Sequence, residues 1–265
     1  SRGLGDVYKR QFQSLIGWAE DPLVNITVMA LIVLGGLGFF VWSDVWDKHS
    51  FCRLRLHTKI VLTATAGLLL FGFGWTLLFE WSNPATLGAF DTPHKLLAAA
   101  FESVTLRTAG FNTIDLGALT GPSQAVSCLL MFIGGSPGST AGGIKTVTAA
   151  VLVLTAISAF CGRTTVSAFG RTIAPRSIMN AVTLLMAGGV LCLVGACAIA
   201  GIEDAPFHQC LFEAVSAFGT VGVSMGLTPT LAAASRVILI VMMYMGRVGV
   251  LTLGCLLYTS PSPRD

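Results

Sequence analysis

Long apolar runs separated by short charged links dominate the chain. Long stretches contain no Asp, Glu, Lys or Arg, among them residues 22–43, 60–79 and 177–202. About 20 consecutive apolar residues form a helix long enough to cross the roughly 30 Å hydrocarbon layer of a bilayer. The pattern therefore predicts several membrane-spanning helices.

The complete set of long apolar segments contains five members. They lie at 22–43, 60–81, 123–161, 177–202 and 231–254. Of the 265 residues, 54% are hydrophobic and only 11% are charged, whereas an ordinary soluble domain carries about 25% charged residues. The sequence thus predicts an all-α polytopic membrane protein.

The third segment is too long for one simple span, and a glycine-rich string interrupts it. The string Gly134-Gly-Ser-Pro-Gly-Ser-Thr-Ala-Gly-Gly143 cannot sustain a helix. We therefore predict one broken transmembrane helix, with two half-helices joined by an irregular segment. Irregular backbone at membrane depth survives only when it is buried in protein or lines a watery cavity.

Two shorter segments, 93–107 and 205–218, each lead directly into a Thr-x-Gly motif. Both are too short to span, so we predict re-entrant pore helices. The links at 44–59 and 162–176 carry most of the basic residues between spans. By the positive-inside rule those links face the cytoplasm, which places both Thr-x-Gly loops outside.

An internal repeat connects these features. Phe101-Glu-Ser-Val-Thr precedes Thr108-Ala-Gly, and Phe212-Glu-Ala-Val-Ser precedes Thr220-Val-Gly. The glycines of the two motifs, Gly110 and Gly222, are 112 positions apart, and another glycine follows each of them after 24 positions. A period of this kind indicates one structural unit used more than once. We expect Glu102 and Glu213, at matching positions, to brace the amides of these loops.

Such a unit suits a dehydrated cation. Pores replace the water around an alkali ion with backbone carbonyls, and their glycines permit left-handed dihedrals. A short helix pointing its C-terminus at the ion adds a negative dipole end. One Thr-x-Gly would mean little, but two copies in matched settings favour a pair of ion-selectivity loops.

The motifs resemble those of the Trk/Ktr/HKT superfamily of potassium transporters, with Ktr-type bacterial uptake subunits nearest. The resemblance rests on Arg107-Thr-Ala-Gly-Phe-Asn-Thr-Ile-Asp115, on Phe132-Ile-Gly-Gly-Ser-Pro-Gly-Ser-Thr-Ala-Gly-Gly-Ile-Lys-Thr146 and on Ala217-Phe-Gly-Thr-Val-Gly-Val-Ser-Met-Gly-Leu-Thr-Pro229. It implies four membrane–pore–membrane repeats around one ion path, a homodimer in the full-length form, a cytosolic nucleotide-binding regulatory ring as partner, and a multi-pass protein in the inner membrane of a bacterium.

The resemblance also implies two sets of site residues. The selectivity filter would comprise Thr108, Ala109, Gly110, Phe111, Thr220, Val221, Gly222 and Val223. The gate would comprise Gly135, Ser136, Pro137, Gly138, Ser139, Thr140, Ala141, Gly142, Gly143, Lys145 and Arg247. Glycine in both filters favours potassium, because no side chain intrudes on the carbonyls.

Arg247 stands out without the family, because an arginine inside an apolar helix is costly. We expect it to bind carbonyls of the glycine-rich string; the alternative is that it snorkels to the cytoplasmic interface. The same two alternatives stay open for Lys145, which either lines the ion path or snorkels.

The two ends of the chain call for separate treatment. Residues 1–11 and 255–265 back-translate to one DNA element read on opposite strands, which resembles a sequencing adapter, so we exclude them from fold arguments. The remainder is expected to be an internal fragment. We divide it into the end of repeat two with its cytoplasmic link (12–59), repeat three (60–176) and repeat four (177–254).

Other function classes find less support. Ser136 lies in a G-x-S-x-G pattern with Asp204 and His208 downstream, but a hydrolase elbow needs a preceding strand. A Walker-type loop is spoiled by Ile144. An inverted-repeat carrier would need filters of opposite orientation. We therefore predict no enzyme, no cofactor, no metal beyond transported K⁺, and no nucleic-acid partner; a sodium-permeable or potassium/sodium-coupled transporter stays the alternative.

Overall fold

A computed structural model describes residues 14–163 and 165–249, and helices make up most of that part of the chain. The helices are α1 (Pro22–Leu37), α2 (Phe39–Lys48), α3 (Leu56–Glu80), α4 (Thr92–Thr105), α5 (Gly121–Phe132), α6 (Thr146–Phe160), α7 (Pro175–Ile202), α8 (Phe207–Gly219) and α9 (Ala233–Val248). A short hairpin pairs two strands of two residues each, β1 (Ser167–Ala168) and β2 (Arg171–Thr172), in antiparallel register. The all-α class predicted from the sequence is confirmed, with this small hairpin as an addition.

Two of the described helices, α3 and α7, are each long and apolar enough to cross a membrane. The third apolar segment forms α5 and α6 on either side of the glycine-rich string, so the broken helix is found where it was expected. The fifth segment begins as α9, and its last residues lie outside the described part of the chain.

The first apolar segment differs from the sequence prediction. A single span over 22–43 was expected, but α1 and α2 meet at Gly38 with a bend of 92°. Gly38 has a φ of +84°, and a Cβ there would lie 2.7 Å from the Pro137 carbonyl oxygen. The bend was not predicted because Gly38 belongs to a tight contact with the glycine-rich string, which a hydropathy profile does not register.

Each short helix packs between a long helix of its own repeat and a helix from the preceding one. Helix α4 lies against α3 and α1, and α8 lies against α7 and α5 as well as α9. Helix α8 supplies the centre of the largest hydrophobic core, with Phe212 and Phe218 buried. This shared packing confirms the structural repeat and holds the C-termini of both short helices inside the protein.

The two basic links lie together at one end of the helical bundle. Phe51 from the first link and Phe169 from the second pack edge to face, with ring centroids 6.2 Å apart. The Lys59 ammonium lies 5.8 Å and 5.9 Å from the two ring centroids. The structure thus places both links on the same side, as the charge pattern requires; that this side is the cytoplasm stays a prediction.

Candidate functional site: filter loops and glycine-rich break

The Thr-x-Gly motifs form two loops of similar backbone shape at the C-termini of α4 and α8. We call residues 108–111 the first filter loop and residues 220–223 the second filter loop. The threonine and the glycine of each loop have left-handed dihedrals, with φ of +68° and +78° in the first loop and +54° and +90° in the second. Such φ values favour glycine, which explains why glycine occupies the third position of each motif.

The two filter loops face each other. A Cβ added to Gly110 would overlap the carbonyl oxygen of Val221. A Cβ added to Gly222 would meet nothing within 4 Å. The first glycine therefore permits close approach of the two loops, whereas the second lies beside open space.

A hydroxyl group on each short helix braces the loop that follows it. Thr105 Oγ1 donates to the Phe111 carbonyl (2.5 Å) and accepts from the Phe111 N–H (3.0 Å). Ser216 Oγ donates to the Val223 carbonyl (2.6 Å). These residues occupy matching positions in the two repeats, so the same device fixes the last carbonyl of both filter loops.

The two matched glutamates behave differently from one another. Glu213 accepts from the Ser224 hydroxyl, the Met225 N–H (3.2 Å) and the Thr228 hydroxyl (2.7 Å). Glu102 is 1% exposed, and neither of its carboxyl oxygens has a donor among the described residues. Glu213 thus braces the segment directly after the second filter loop, whereas the expected bracing of loop amides is not found for Glu102.

The glycine-rich break comprises residues 134–143, and its two ends close onto each other. Ile133 and Ile144 form a parallel bridge, with the Gly134 N–H donating to the Ile144 carbonyl (2.8 Å) and the Ile144 N–H to the Phe132 carbonyl (3.1 Å). A Cβ on Gly134 would overlap the Gly142 carbonyl oxygen. We call this closed base, formed by residues 132–134 and 142–144, the neck.

Hydroxyl groups order the interior of the break. Ser136 Oγ lies 3.1 Å from Thr146 Oγ1, and Ser139 Oγ donates to the Ser136 carbonyl (2.6 Å). Ser136 is fully buried. A hydrolytic nucleophile must reach its substrate and a base; Ser136 instead pairs with another hydroxyl, which removes the support for the hydrolase alternative.

Several neighbouring elements hold the break by its backbone, including α2, where the Phe39 N–H donates to the Gly138 carbonyl (3.3 Å). The Ser136 N–H donates to the Gly36 carbonyl of α1 (3.0 Å), and the Gly143 N–H donates to the Gly246 carbonyl of α9 (3.2 Å). The Gly142 N–H donates to Thr220 Oγ1 in the second filter loop (3.1 Å). The break is therefore in direct contact with a filter loop.

Three cationic side chains donate to carbonyls of the break. Arg247 reaches the Thr140 carbonyl, as expected from the sequence, and Lys145 reaches the Ala141 carbonyl (2.6 Å). Arg107 donates to the Gly134 carbonyl (3.1 Å). No role was predicted for Arg107, although its position directly before the first filter loop, after an apolar helix, is a signal in the sequence.

The remaining predicted residues complete the break without side-chain contacts of this kind. Pro137 lies against Gly38, and Gly138 adopts a φ of +78° beside the Phe40 ring. The described residues contain no group of three or more His, Cys, Asp or Glu side chains that could hold a metal ion. The chemistry of the site thus consists of backbone carbonyls, hydroxyls and fixed positive charges.

Comparison with known proteins assigns this arrangement to a class and then to a family. The family described as TrkH, cation transport protein, matches residues 11–264. A crystal structure of the potassium transporter TrkH from Vibrio parahaemolyticus superposes with a TM-score of 0.70 at 18% identity, over 91% of this chain and 53% of that one. The fold is therefore that of a cation transporter, not an enzyme. The chain belongs to the TrkH family of cation transport proteins.

Curated relatives give the same result at higher identity. The Ktr system potassium uptake protein B of Bacillus subtilis (strain 168) is 40% identical over 239 residues, which cover 90% of this chain and 54% of that protein. The potassium/sodium uptake protein NtpJ of Enterococcus hirae is 40% identical, with 90% and 54% covered. The Ktr system potassium uptake protein B of Vibrio alginolyticus is 38% identical, with 94% and 55% covered. The chain spans about half the length of these relatives.

Proposed function

We propose that this chain forms half of the ion path of a bacterial potassium uptake transporter. The observation that carries the proposal is the pair of facing filter loops, each with a left-handed glycine and a hydroxyl brace. Carbonyls held in this way can replace the hydration shell of an alkali cation. In the full-length protein, four such loops would surround one ion path in the inner membrane.

Potassium is the proposed cargo. Both filter loops carry glycine, Gly110 and Gly222, so no side chain enters the carbonyl ring. Two relatives are named as potassium uptake proteins. The relative named as a potassium/sodium uptake protein keeps coupled or additional sodium transport as the second candidate.

The glycine-rich break is the proposed gate. It contacts the second filter loop through Thr220. Its residues are small and flexible, so the break can move out of the ion path when its hydrogen bonds to the neighbouring elements are broken. Arg247 and Lys145 hold it through single carbonyls, and the exposed Arg247 lies on another repeat. A planar guanidinium with five donors suits such a latch. The proposed partners are a second copy of the transporter and a cytosolic nucleotide-binding ring.

The gate is tested by K⁺ influx in uptake-deficient cells that express the full-length transporter containing this chain. We expect deletion of Ser136–Thr140, or Arg247→Gln, to raise influx at least threefold at matched membrane expression. Arg247→Lys should restore only part of the closure, because a point charge cannot replace the planar fork.

Arg236→Gln is the matched control, since Arg236 is an exposed arginine that donates to the Pro229 carbonyl (3.0 Å), away from the break. It should leave influx unchanged. If neither the deletion nor Arg247→Gln raised influx, the break would be a packing element and the gating proposal would be lost.

A further inference from the structure

Arg107 carries a buried positive charge next to the first filter loop. Arg107 is 7% exposed, and one of its guanidinium nitrogens, Nη2, donates to the Gly134 carbonyl. The described residues place no carboxylate within salt-bridge distance of it. A buried charge without compensation is costly, so this arginine has a role that offsets the cost.

The hydrogen bond of Arg107 connects two parts of the site that are 27 positions apart in sequence. Arg107 directly precedes Thr108, and Gly134 belongs to the neck of the break. The Gly134 N–H donates to the Ile144 carbonyl, so the residue whose carbonyl accepts from Arg107 also takes part in the bridge that closes the neck. A shift of either partner would therefore act on the other.

Arg107 lines a small, partly open cavity beside the first filter loop. Arg107 Nη1 is buried without a protein partner in the described chain, and so is Thr65 Oγ1. Both residues line the same cavity of about 20 Å³, together with Gly36 and Gly135. A cavity of at least about 10–15 Å³ accommodates one water molecule when polar partners are present, and Thr65 and Arg107 are the two polar side chains in this otherwise mostly apolar lining.

We propose that Arg107 is a positioning residue that couples the first filter loop to the neck of the break, with one water bridging its second nitrogen to Thr65. The inference rests on the proposed filter and gate, and it adds a third cationic contact with a different character. Arg247 and Lys145 bind the middle of the break, where release opens it. Arg107 binds the base, where a fixed bond holds the break in register with the filter.

Hydrogen exchange of the purified full-length transporter tests the coupling directly. In Arg107→Gln, exchange of the amides in residues 132–146 should accelerate at least fivefold, since the Gly134–Ile144 bridge loses its outer support. Arg107→Lys keeps one charged donor nitrogen, so its exchange rates should lie between those of Arg107→Gln and those of the unmodified protein. The control Arg236→Gln should match the unmodified protein. Unchanged exchange in both Arg107 variants would overturn the proposal.

Two threonine variants test the proposed bridging water. Thr65→Val removes the hydroxyl that lines the cavity and should reproduce part of the exchange increase. Thr63→Val is the control on the same helix, because the Thr63 hydroxyl bonds only to carbonyls of its own helix. A high-resolution structure should show density for one water between Arg107 and Thr65, lost in Thr65→Val. No density, with equal exchange in both threonine variants, would eliminate the bridging water.

Influx measurements separate this inference from the proposed function. Arg107→Gln should raise K⁺ influx and lower K⁺/Na⁺ discrimination together, and it should add little to a transporter that already lacks Ser136–Thr140, because coupled sites are not additive. Independent, multiplicative effects would show that Arg107 does not act through the break. Faster exchange with no change in influx would support the coupling between Arg107 and the neck and would contradict the proposal that the break is a gate.

Discussion

Glu102 and Glu213 occupy the same turn of the two short helices, yet within the described residues only Glu213 has hydrogen-bond donors. The donors to Glu213 lie 11, 12 and 15 positions after it. The repeat places Leu116, which has no hydroxyl, at the counterpart of Thr228. A carboxylate therefore holds the segment that follows the second filter loop, and the segment after the first filter loop has no such contact with Glu102.

This difference makes the two glutamates a matched pair of variants. Glu213→Gln should lower K⁺ uptake of the full-length transporter about tenfold, because hydrogen bonds to a charged group are each worth about 1.5–3 kcal/mol. Glu102→Gln should leave uptake within twofold, since no donor is lost. Uptake and thermal unfolding are measured on both at equal expression. Equal damage from the two substitutions would contradict the asymmetry.

The two filter glycines should respond differently to serine. Gly110→Ser places a side chain against the Val221 carbonyl and should abolish K⁺ uptake. Gly222→Ser has room for the side chain but strains a φ of +90°, so uptake should persist with lower K⁺/Na⁺ discrimination.

Gly170→Ser controls for strain alone, because Gly170 has a φ of +76° and no neighbour within 4 Å, far from the filter in the hairpin. It should transport normally. If ion flux assays found unaltered K⁺/Na⁺ discrimination in both filter variants, the assignment of these loops as the selectivity filter would be wrong.

The hydroxyl braces should matter for selectivity more than for folding. Thr105→Val and Ser216→Ala each remove the donor that fixes the last carbonyl of a filter loop, at a cost of about 1 kcal/mol per hydrogen bond. We expect K⁺/Na⁺ discrimination to fall severalfold in both. Thr155→Val removes only a hydroxyl bonded within α6 and should be neutral. Discrimination that stayed at the unmodified level would show that the loops keep their shape without the braces.

Residues 12–254 expressed alone should not take up potassium. A path ringed by four loops is incomplete with two, and polar carbonyls that then face lipid each cost several kcal/mol. Growth of an uptake-deficient strain at low external K⁺ is the measurement, with the full-length transporter as positive control. Robust growth on the fragment would require an assembly of another kind.

Sequence reasoning reached the features that depend on composition and local spacing. The all-α class, the position of the broken helix and the bond of Arg247 to a carbonyl of the glycine-rich string follow from hydropathy, from glycine content and from the cost of a charge within an apolar segment. The two short helices were placed within two residues of their observed limits, since Thr-x-Gly marks their ends.

The features that were missed depend on contacts between distant segments. The bend at Gly38 exists because Pro137 approaches it, and 99 positions separate those residues. The lack of donors to Glu102 among the described residues and the bond from Arg107 to Gly134 likewise depend on which side chains the fold brings together. One repeat cannot reveal them by analogy with the other, because the matched positions carry different partners.

The two flanking contacts of the glycine-rich break have a mechanical consequence. One end is bonded to the Gly36 carbonyl of α1 and the other to the Gly246 carbonyl of α9. Gly38 and Gly249, which follow these sites, share nearly the same dihedrals, with φ of +84° and +90° and ψ of 151° and 131°. The break is thus bonded on both sides to a residue that lies shortly before a glycine of similar conformation. A displacement of α1 or of α9 would therefore be transmitted to the same ten residues through a backbone hydrogen bond.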